Sequence, residues 1–445
     1  MASPRKNTTS SSFVDGLSRR DFVKSFFSVS ALSLAALHEL NAEAYQSITS
    51  LNQKHPEDES PDGAYWEELK KQFLFEDGLI MMNNGTVGPM PKPVFRTLMQ
   101  TFRTQVENPY DVYNFLPTFR EEVRGRLARF VGVSPEEVAL TSNTTEGLNF
   151  VVNGLDLKAG DEVLISNMEH PGSLGPWKLK EQRTGVTIRE IPLGAPPKNT
   201  EEVVASFAAA ITPKTKVINV GHTVYISGLI TPVKELSRMA HERGILVIAD
   251  SAHGIGMLQL NMKEMGVDFF ASSPYKWLGA PTGIGLLYVK KEVQKQVFPT
   301  VVSSGWESAA TAAKYDPSGQ RADAMIFALG EALNFQNHIG PQRIEKRIKT
   351  LAAYLKQGLS RIPGAKVYTP MDPYLSGGLT AFSVDGVDPS KIVDYVREKY
   401  NIVVRTIGNR AAGTTAVRVS TPIYISFKEI DMFLEGVGHL AAHRG

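Results

Sequence analysis

Lys276 stands in the run Ser272-Ser-Pro-Tyr-Lys-Trp-Leu-Gly-Ala-Pro-Thr-Gly-Ile-Gly-Leu-Leu-Tyr288, directly after the apolar stretch Val267 to Ala271. A lysine at the end of an apolar strand, ahead of a Gly/Pro-rich turn, is poorly placed for an ordinary solvated charge. Drawn into a cleft, its pKa falls and the amine becomes a nucleophile able to form Schiff bases. A second apolar run, Ile245 to Ala249, ends on Asp250 and continues through Ser251-Ala-His253. A carboxylate at one strand end and a lysine at the next are the pairing that pyridoxal phosphate needs. The lysine holds the aldehyde, and the aspartate keeps the pyridine nitrogen protonated so that the ring acts as an electron sink. The alternative for Lys276 taken alone is a solvated strand end; Asp250 and the loops that follow weigh against it.

Three further segments could complete such a site. Thr141-Ser-Asn-Thr-Thr-Glu-Gly147 follows a strand and opens a helix, where free N–H groups and the helix dipole favour a phosphate. Thr145 adds a hydroxyl and Ser273 another donor, although Ser142 or Asn143 could be there simply to cap the helix. His170, in Asn167-Met-Glu-His170-Pro-Gly, could lie over a planar cofactor and act as acid or base near neutral pH, or be solvated. His253 could point into the same cleft. Arg418, in Ala416-Val-Arg-Val-Ser420, has the planar fork for bidentate capture of an α-carboxylate, or could bridge two domains.

The elements that must position these residues are legible as hydrophobic runs. Glu137–Ser142, Asp161–Ser166, Val186–Pro192, Thr215–Gly221, Ile245–Asp250, Val267–Ala271 and Gly283–Val289 read as strands. Helical stretches such as Thr145–Asn153, Glu201–Ile211 and Pro232–Arg243 lie between most of them. Such alternation predicts an α/β fold with a mainly parallel seven-stranded sheet covered by helices. Gly283–Val289 follows its predecessor without a helix, so it is expected to run antiparallel. Ligands bind beyond the carboxyl ends of strands in such sheets, where the residues above fall. Two long helical patterns, Met325–Ile339 and Arg343–Ile362, precede Leu379–Val384, Ser390–Tyr400, Ile402–Thr406, Ala416–Ser420 and a helix from Phe427. That order predicts a smaller α+β domain over 331–445, after an N-terminal arm and large domain over 64–330.

Composition is globular: 445 residues, 42% hydrophobic, 21% charged, with a formal charge of +2. That balance gives no electrostatic reason to expect nucleic acid or an acidic membrane as partner. Cysteine is absent, which removes disulfides, thiolate chemistry and Cys-containing metal sites, and no metal is expected. The amino terminus is more specific. Ser18-Arg-Arg-Asp-Phe-Val-Lys24, the apolar stretch Phe26 to Leu37, and Ala42-Glu43-Ala44 follow the layout of a twin-arginine export signal with a small-residue cleavage site. The apolar stretch is shorter than the ~20 residues needed to span a bilayer, so no stable membrane anchor is expected. Residues 1–44 are therefore read as a removed signal, 45–63 as a polar linker, and the mature chain as exported, periplasmic or secreted. The export machinery would be a partner.

Taken together, these motifs resemble the class V aminotransferases, a family within the fold-type-I pyridoxal-phosphate enzymes that includes cysteine desulfurases, kynureninases and isopenicillin-N epimerase-like proteins. The resemblance spans roughly residues 75 to 440. It implies Met82-Asn-Asn-Gly-Thr-Val-Gly88 as an N-terminal active-site loop, with Asn84 on the substrate. It also implies Thr144 and Thr145 on the phosphate, His170 stacked on the ring, Asp250 and His253 on the pyridine nitrogen and ring edge, Lys276 as Schiff-base lysine and Arg418 on the substrate carboxylate. A homodimer is implied as well. Four departures stand out. Tyr275 replaces the histidine usual before the lysine, and Tyr225 replaces an asparagine on the cofactor's phenolic oxygen. Gly319-Gln320 stands where a Gly-Thr often reaches across the dimer, and Arg405 to Arg418 lacks the persulfide cysteine of one desulfurase branch. The expected substrate is an amino acid or amine, and the expected reaction is aminotransferase-type. The alternatives are an epimerase, with His170 as second base, a C–S or β-elimination lyase, or an inert cofactor-binding scaffold.

Overall fold

The computed structural model describes residues 41–56, 63–302, 306, 310–316, 319–409 and 413–443. Helix α1 (41–54) and α2 (Ala64–Lys70) precede the short β1 (Ile80–Met81) and two long helices, α3 (Lys92–Glu107) and α4 (Pro109–Phe130). The chain then alternates: β2 (Val138–Thr141), α5 (Thr144–Gly154), β3 (Glu162–Ser166), α6 (Pro171–Thr184), β4 (Thr187–Ile191), α7 (Thr200–Ala210) and β5 (Thr215–Gly221). It continues with α8 (Val233–His241), β6 (Leu246–Asp250), α9 (Met262–Met265), β7 (Phe269–Ser272) and β8 (Gly285–Val289). These strands form one seven-stranded sheet in the order β2-β8-β7-β6-β5-β3-β4. Neighbours from β7 through β4 pair parallel, and β8 runs antiparallel to both β2 and β7, as expected from the missing helix. Strands β2, β3, β7 and β8 are buried along their whole length, which requires helices on both faces.

The second layer begins with α10 (Asp323–Ile339) and α11 (Pro341–Ser360). Then come β9 (Ala365–Val367), β10 (Leu379–Val384), α12 (Pro389–Tyr400), β11 (Ile402–Val403), β12 (Arg405–Asn409), β13 (Thr414–Ser420) and α13 (Phe427–Ala442). Strands β12-β13-β10-β9 make a four-stranded sheet that pairs antiparallel throughout. The amino-terminal arm is stitched to this unit. Strand β1 pairs parallel with β11, Met82 O accepts from the Ser420 N–H at 2.8 Å, and the Gly85 N–H donates to Ser420 Oγ at 3.0 Å. A domain boundary at residue 331 falls inside α10, whose apolar faces continue one core between the layers.

One expectation needs correction. The segment 45–63 is not a linker along its length, because residues 41–54 are helical and docked. Asn41, Tyr45 and Ile48 lie on one helical face and are buried, with Asn41 Nδ2 donating to Thr97 Oγ1 at 3.0 Å and to Glu331 at 2.9 Å. Tyr45 stacks on His338 and bonds Glu331. A cut after Ala44 would pass through this docked helix. The rest of the expected signal, residues 1–40 with Arg19 and Arg20, lies outside the described residues. Among the described residues no helix is long and apolar enough to cross a membrane.

Candidate active site

The site lies at the carboxyl ends of β5, β6 and β7, where the small sheet and the arm close over them. A cleft there is lined by Thr144, His170, Tyr225, Asp250, Ser273 and Lys276, with Thr145 and His253 on the same walls. The structure thus brings together residues spread from 144 to 276, and Arg418 joins them from the small sheet.

Lys276 follows the end of β7 in a turn closed by its own N–H on Ser273 O at 3.1 Å. The arm clamps that turn. The Gly88 N–H donates to Tyr275 O, and Asn84 Nδ2 donates to Lys276 O, both at 3.0 Å. A Cβ on Gly88 would sit 2.1 Å from Lys276 O, so glycine is required for this approach. Burial brings the Lys276 amine down to about 8, against the pull of Asp250 and with the help of Arg418 and Arg405. Asp250, the last residue of β6, is buried and its carboxyl is raised to about 6 by that burial, despite Lys276 and the Ala252 N–H at 3.2 Å. A lysine able to shed its proton near neutral pH faces a carboxylate held in a dry strand end.

On the phosphate side, Asn143 caps α5 by accepting from the Glu146 N–H at 2.9 Å, so the capping reading of this loop holds. It does not displace the other reading. The α5 amino terminus opens on the cleft, where Thr144 Oγ1 and Ser273 Oγ lie 2.7 Å apart and the Thr144 N–H donates to Ser273 Oγ at 3.2 Å. The paired hydroxyls at a helix amino terminus suit an anion, with the Glu146 carboxylate of the same turn engaged by the Ser142 N–H.

His170 caps α6, its Nδ1 accepting from the Gly172 N–H at 3.0 Å. That bond assigns the neutral ring its proton on Nε2. Its ring stands edge-on to Tyr225, centroids 4.7 Å apart. Partial burial, then the charges of Lys276, Arg418 and Arg405, push its pKa down. His170 is therefore a neutral ring wall with a donor at Nε2, and its basic nitrogen is already engaged. His253 is buried, with burial first and Lys276 second holding it well below the usual histidine range. Its Nδ1 accepts from Trp277 Nε1 at 3.4 Å.

Arg418, on β13, is 3% exposed. Nη1 donates to Tyr225 O and Nη2 to Thr86 Oγ1, each at 3.2 Å, while Nε is buried without a partner. Burial, then Arg405, lowers it to about 10. Its bonds go to neutral oxygens, so the interdomain ion-pair reading of Arg418 has no carboxylate to rest on among the described residues. A Cβ on Gly85 would meet its guanidinium at 2.7 Å. Asn84 has a structural role as well: Nδ2 donates to Lys276 O and Oδ1 accepts from Tyr424. These bonds brace the lysine turn and leave the second amide hydrogen of Asn84 outside them.

Two residues were not found by spacing. Glu169 is buried behind Asp250, its Oε1 accepting from Ser166 Oγ at 2.6 Å and the Gly221 N–H at 3.0 Å, with Oε2 unpartnered. Burial raises its carboxyl to about 8, with Asp250 adding to the shift. Thr86 ties the arm to Arg418. Glu169 precedes a histidine already singled out, but nothing in the sequence says that it is buried.

The aminotransferase class-V profile matches residues 83–433 of this chain. Isopenicillin N epimerase of Streptomyces clavuligerus is 30% identical over 394 residues, covering 85% of this chain and 98% of that protein. A probable cysteine desulfurase of Halalkalibacterium halodurans is 30% identical over 402 residues, covering 83% and 96%. Among solved structures, the complex of the cystine C–S lyase C-DES with its product cysteine persulfide superposes with a TM-score of 0.74 at 25% identity, covering 81% of this chain and 97% of that one. A cysteine desulfurase from Thermococcus onnurineus has a TM-score of 0.74 at 24% identity, which speaks for the fold alone.

Proposed function

The chain belongs to the aminotransferase class-V family, and on that premise we propose that it is a pyridoxal-phosphate enzyme moving the α-proton of an amino acid. The observation that carries this reading is the Lys276 amine, lowered to about 8 in a cleft beside buried Asp250. The donors fit the group: hydroxyls of Thr144 and Ser273 at a helix amino terminus for phosphate, Asp250 for the pyridine nitrogen, and His170, His253 and Tyr225 as walls. When bound, pyridoxal phosphate supplies an electron sink for charge developing at a substrate α-carbon.

The chain's own residues do the remaining work. Arg418 holds the α-carboxylate, its buried unpartnered Nε matching one oxygen of a bidentate anion. Lys276, partly neutral near pH 7 to 8, takes the α-proton and returns it. Asn84 and Gly88 fix its backbone. Aminotransferase-type chemistry fits a site whose one mobile base is Lys276, since His170 Nδ1 is occupied as a helix cap. Epimerisation is the second reading, favoured by the epimerase relative. It needs a second proton-transfer group besides Lys276, for which His170, with its donor at Nε2, and Tyr225 line the same cleft. Desulfuration through the chain's own persulfide has no thiol to use.

Incubation of the cofactor-loaded protein with amino acids in deuterium oxide, with and without 2-oxo acids, separates these. New oxo acid supports transfer; inversion with α-deuterium and no oxo acid supports epimerisation. Borohydride reduction that leaves Lys276 unlabelled overturns both. Homodimerisation and twin-arginine export belong to the same proposal. Exposed apolar residues on α3 support the first, and Arg19-Arg20 with the apolar stretch behind them supports the second.

A further inference from the structure

The function proposed above leaves Arg405 unused. It opens β12 and stands directly across from Arg418 of β13 in the antiparallel register. Like charges placed opposite one another on a sheet repel, yet these two converge. Arg405 Nη1 and Arg418 Nη2 each donate to Thr86 Oγ1 at 3.2 Å. A hydroxyl oxygen offers two lone pairs and no charge, so Thr86 holds both guanidiniums at one point and neutralises neither. Their other partners among the described residues are the Thr406 and Tyr225 carbonyls, again neutral. Arg418 lies buried at the floor with Nε unpartnered, and Arg405 is exposed at the rim. Positive charge accumulated along this path depresses the proton affinity of Lys276 and His170 as well. A pair of uncompensated cations, one deep and one at the mouth, is complementary to a ligand with two negative ends.

We propose that the substrate is an amino acid with a second anionic group on its side chain, its α-carboxylate on Arg418 and its distal acid on Arg405. The inference rests on the amino-acid reading of the site and adds the substrate class. A side-chain carboxylate and a side-chain sulfinate share this chemistry.

The test uses the cofactor-loaded chain. Aspartate, glutamate, 2-aminoadipate and cysteine sulfinate are titrated beside asparagine, glutamine and alanine, reading apparent Kd from the cofactor's visible absorbance and KM and kcat where turnover occurs. Glutarate and acetate are compared as competitors. The acids are expected to bind more tightly than their amides by about tenfold, the discrimination of one charge-assisted contact. The best of the carboxylate and sulfinate arms identifies the source. Arg405→Gln should collapse the acid-to-amide ratio toward one and abolish the advantage of glutarate over acetate, while Arg405→Lys retains part of it. Equal binding of acids and amides by the parent protein overturns the inference alone. So does an Arg405→Gln effect that is the same for acids and amides, which would place both arginines on one α-carboxylate. No response to any amino acid overturns the functional reading and this inference with it.

Discussion

Lys276 carries a pH signature that a solvated lysine would lack. Its folded pKa is lowered to about 8 from 10.5, so between those values the unfolded chain binds more protons than the native one. Stability from this group then rises with pH through that window, and its penalty is fully present below about 8. In urea unfolding of the cofactor-free protein, stability relative to Lys276→Met should increase from pH 8 to pH 10; a flat difference would contradict the buried amine. Gly88→Ala tests the clamp on the same turn. A methyl group 2.1 Å from Lys276 O must displace the arm, and turnover is expected to fall on the order of a hundredfold, as for a small misplacement of a catalytic group. The proton-transfer and carboxylate residues were visible in the sequence because their types are rare at strand ends. Glu169 and Thr86 were not, because what marks them is burial and convergence on residues far along the chain.

Helix α5 shows how one element serves both fold and site. Asn143→Ala removes the cap seen in its bond to the Glu146 N–H, which should cost about 1 kcal/mol of stability and weaken cofactor retention, read by denaturant midpoint and by dialysis. Helix α1 gives the sharper contrast. Most of it falls in the stretch 45–63 read as a polar linker, yet Asn41, Tyr45 and Ile48 form one buried stripe. Tyr45→Ala removes a ring stacked on His338 and leaves Glu331 without its phenol. Loss of a buried aromatic side chain costs roughly 3–5 kcal/mol, so a lower unfolding midpoint is expected; an unchanged one would mean that this helix does not dock in solution. Helix α6 escaped a composition reading because Pro171, Gly172, Gly175 and Pro176 crowd its first turns, although proline at the first position of a helix lacks nothing it needs.

For the whole molecule, α3 leaves Phe95, Met99, Phe102 and Val106 exposed on one face, a patch larger than scattered surface residues produce. A second copy covering it would give a mass by light scattering twice that of the chain, with Phe102→Asp shifting the population to monomer. A monomeric parent protein would remove the dimer from the proposal. Export is tested separately by replacing Arg19 and Arg20 with lysine and following the compartment of the product.

Strand-helix alternation, the reversed β8 and the Lys276–Asp250 pair were determined by the sequence, because hydrophobic period and residue type are local properties. The tertiary structure alone decided that Asn84 is a brace, that His170 Nδ1 is a cap, that α1 is part of the core and that Arg405 faces Arg418. Each of those roles is set by which distant group occupies a few ångströms of shared space, and neither composition nor spacing along a chain encodes that distance.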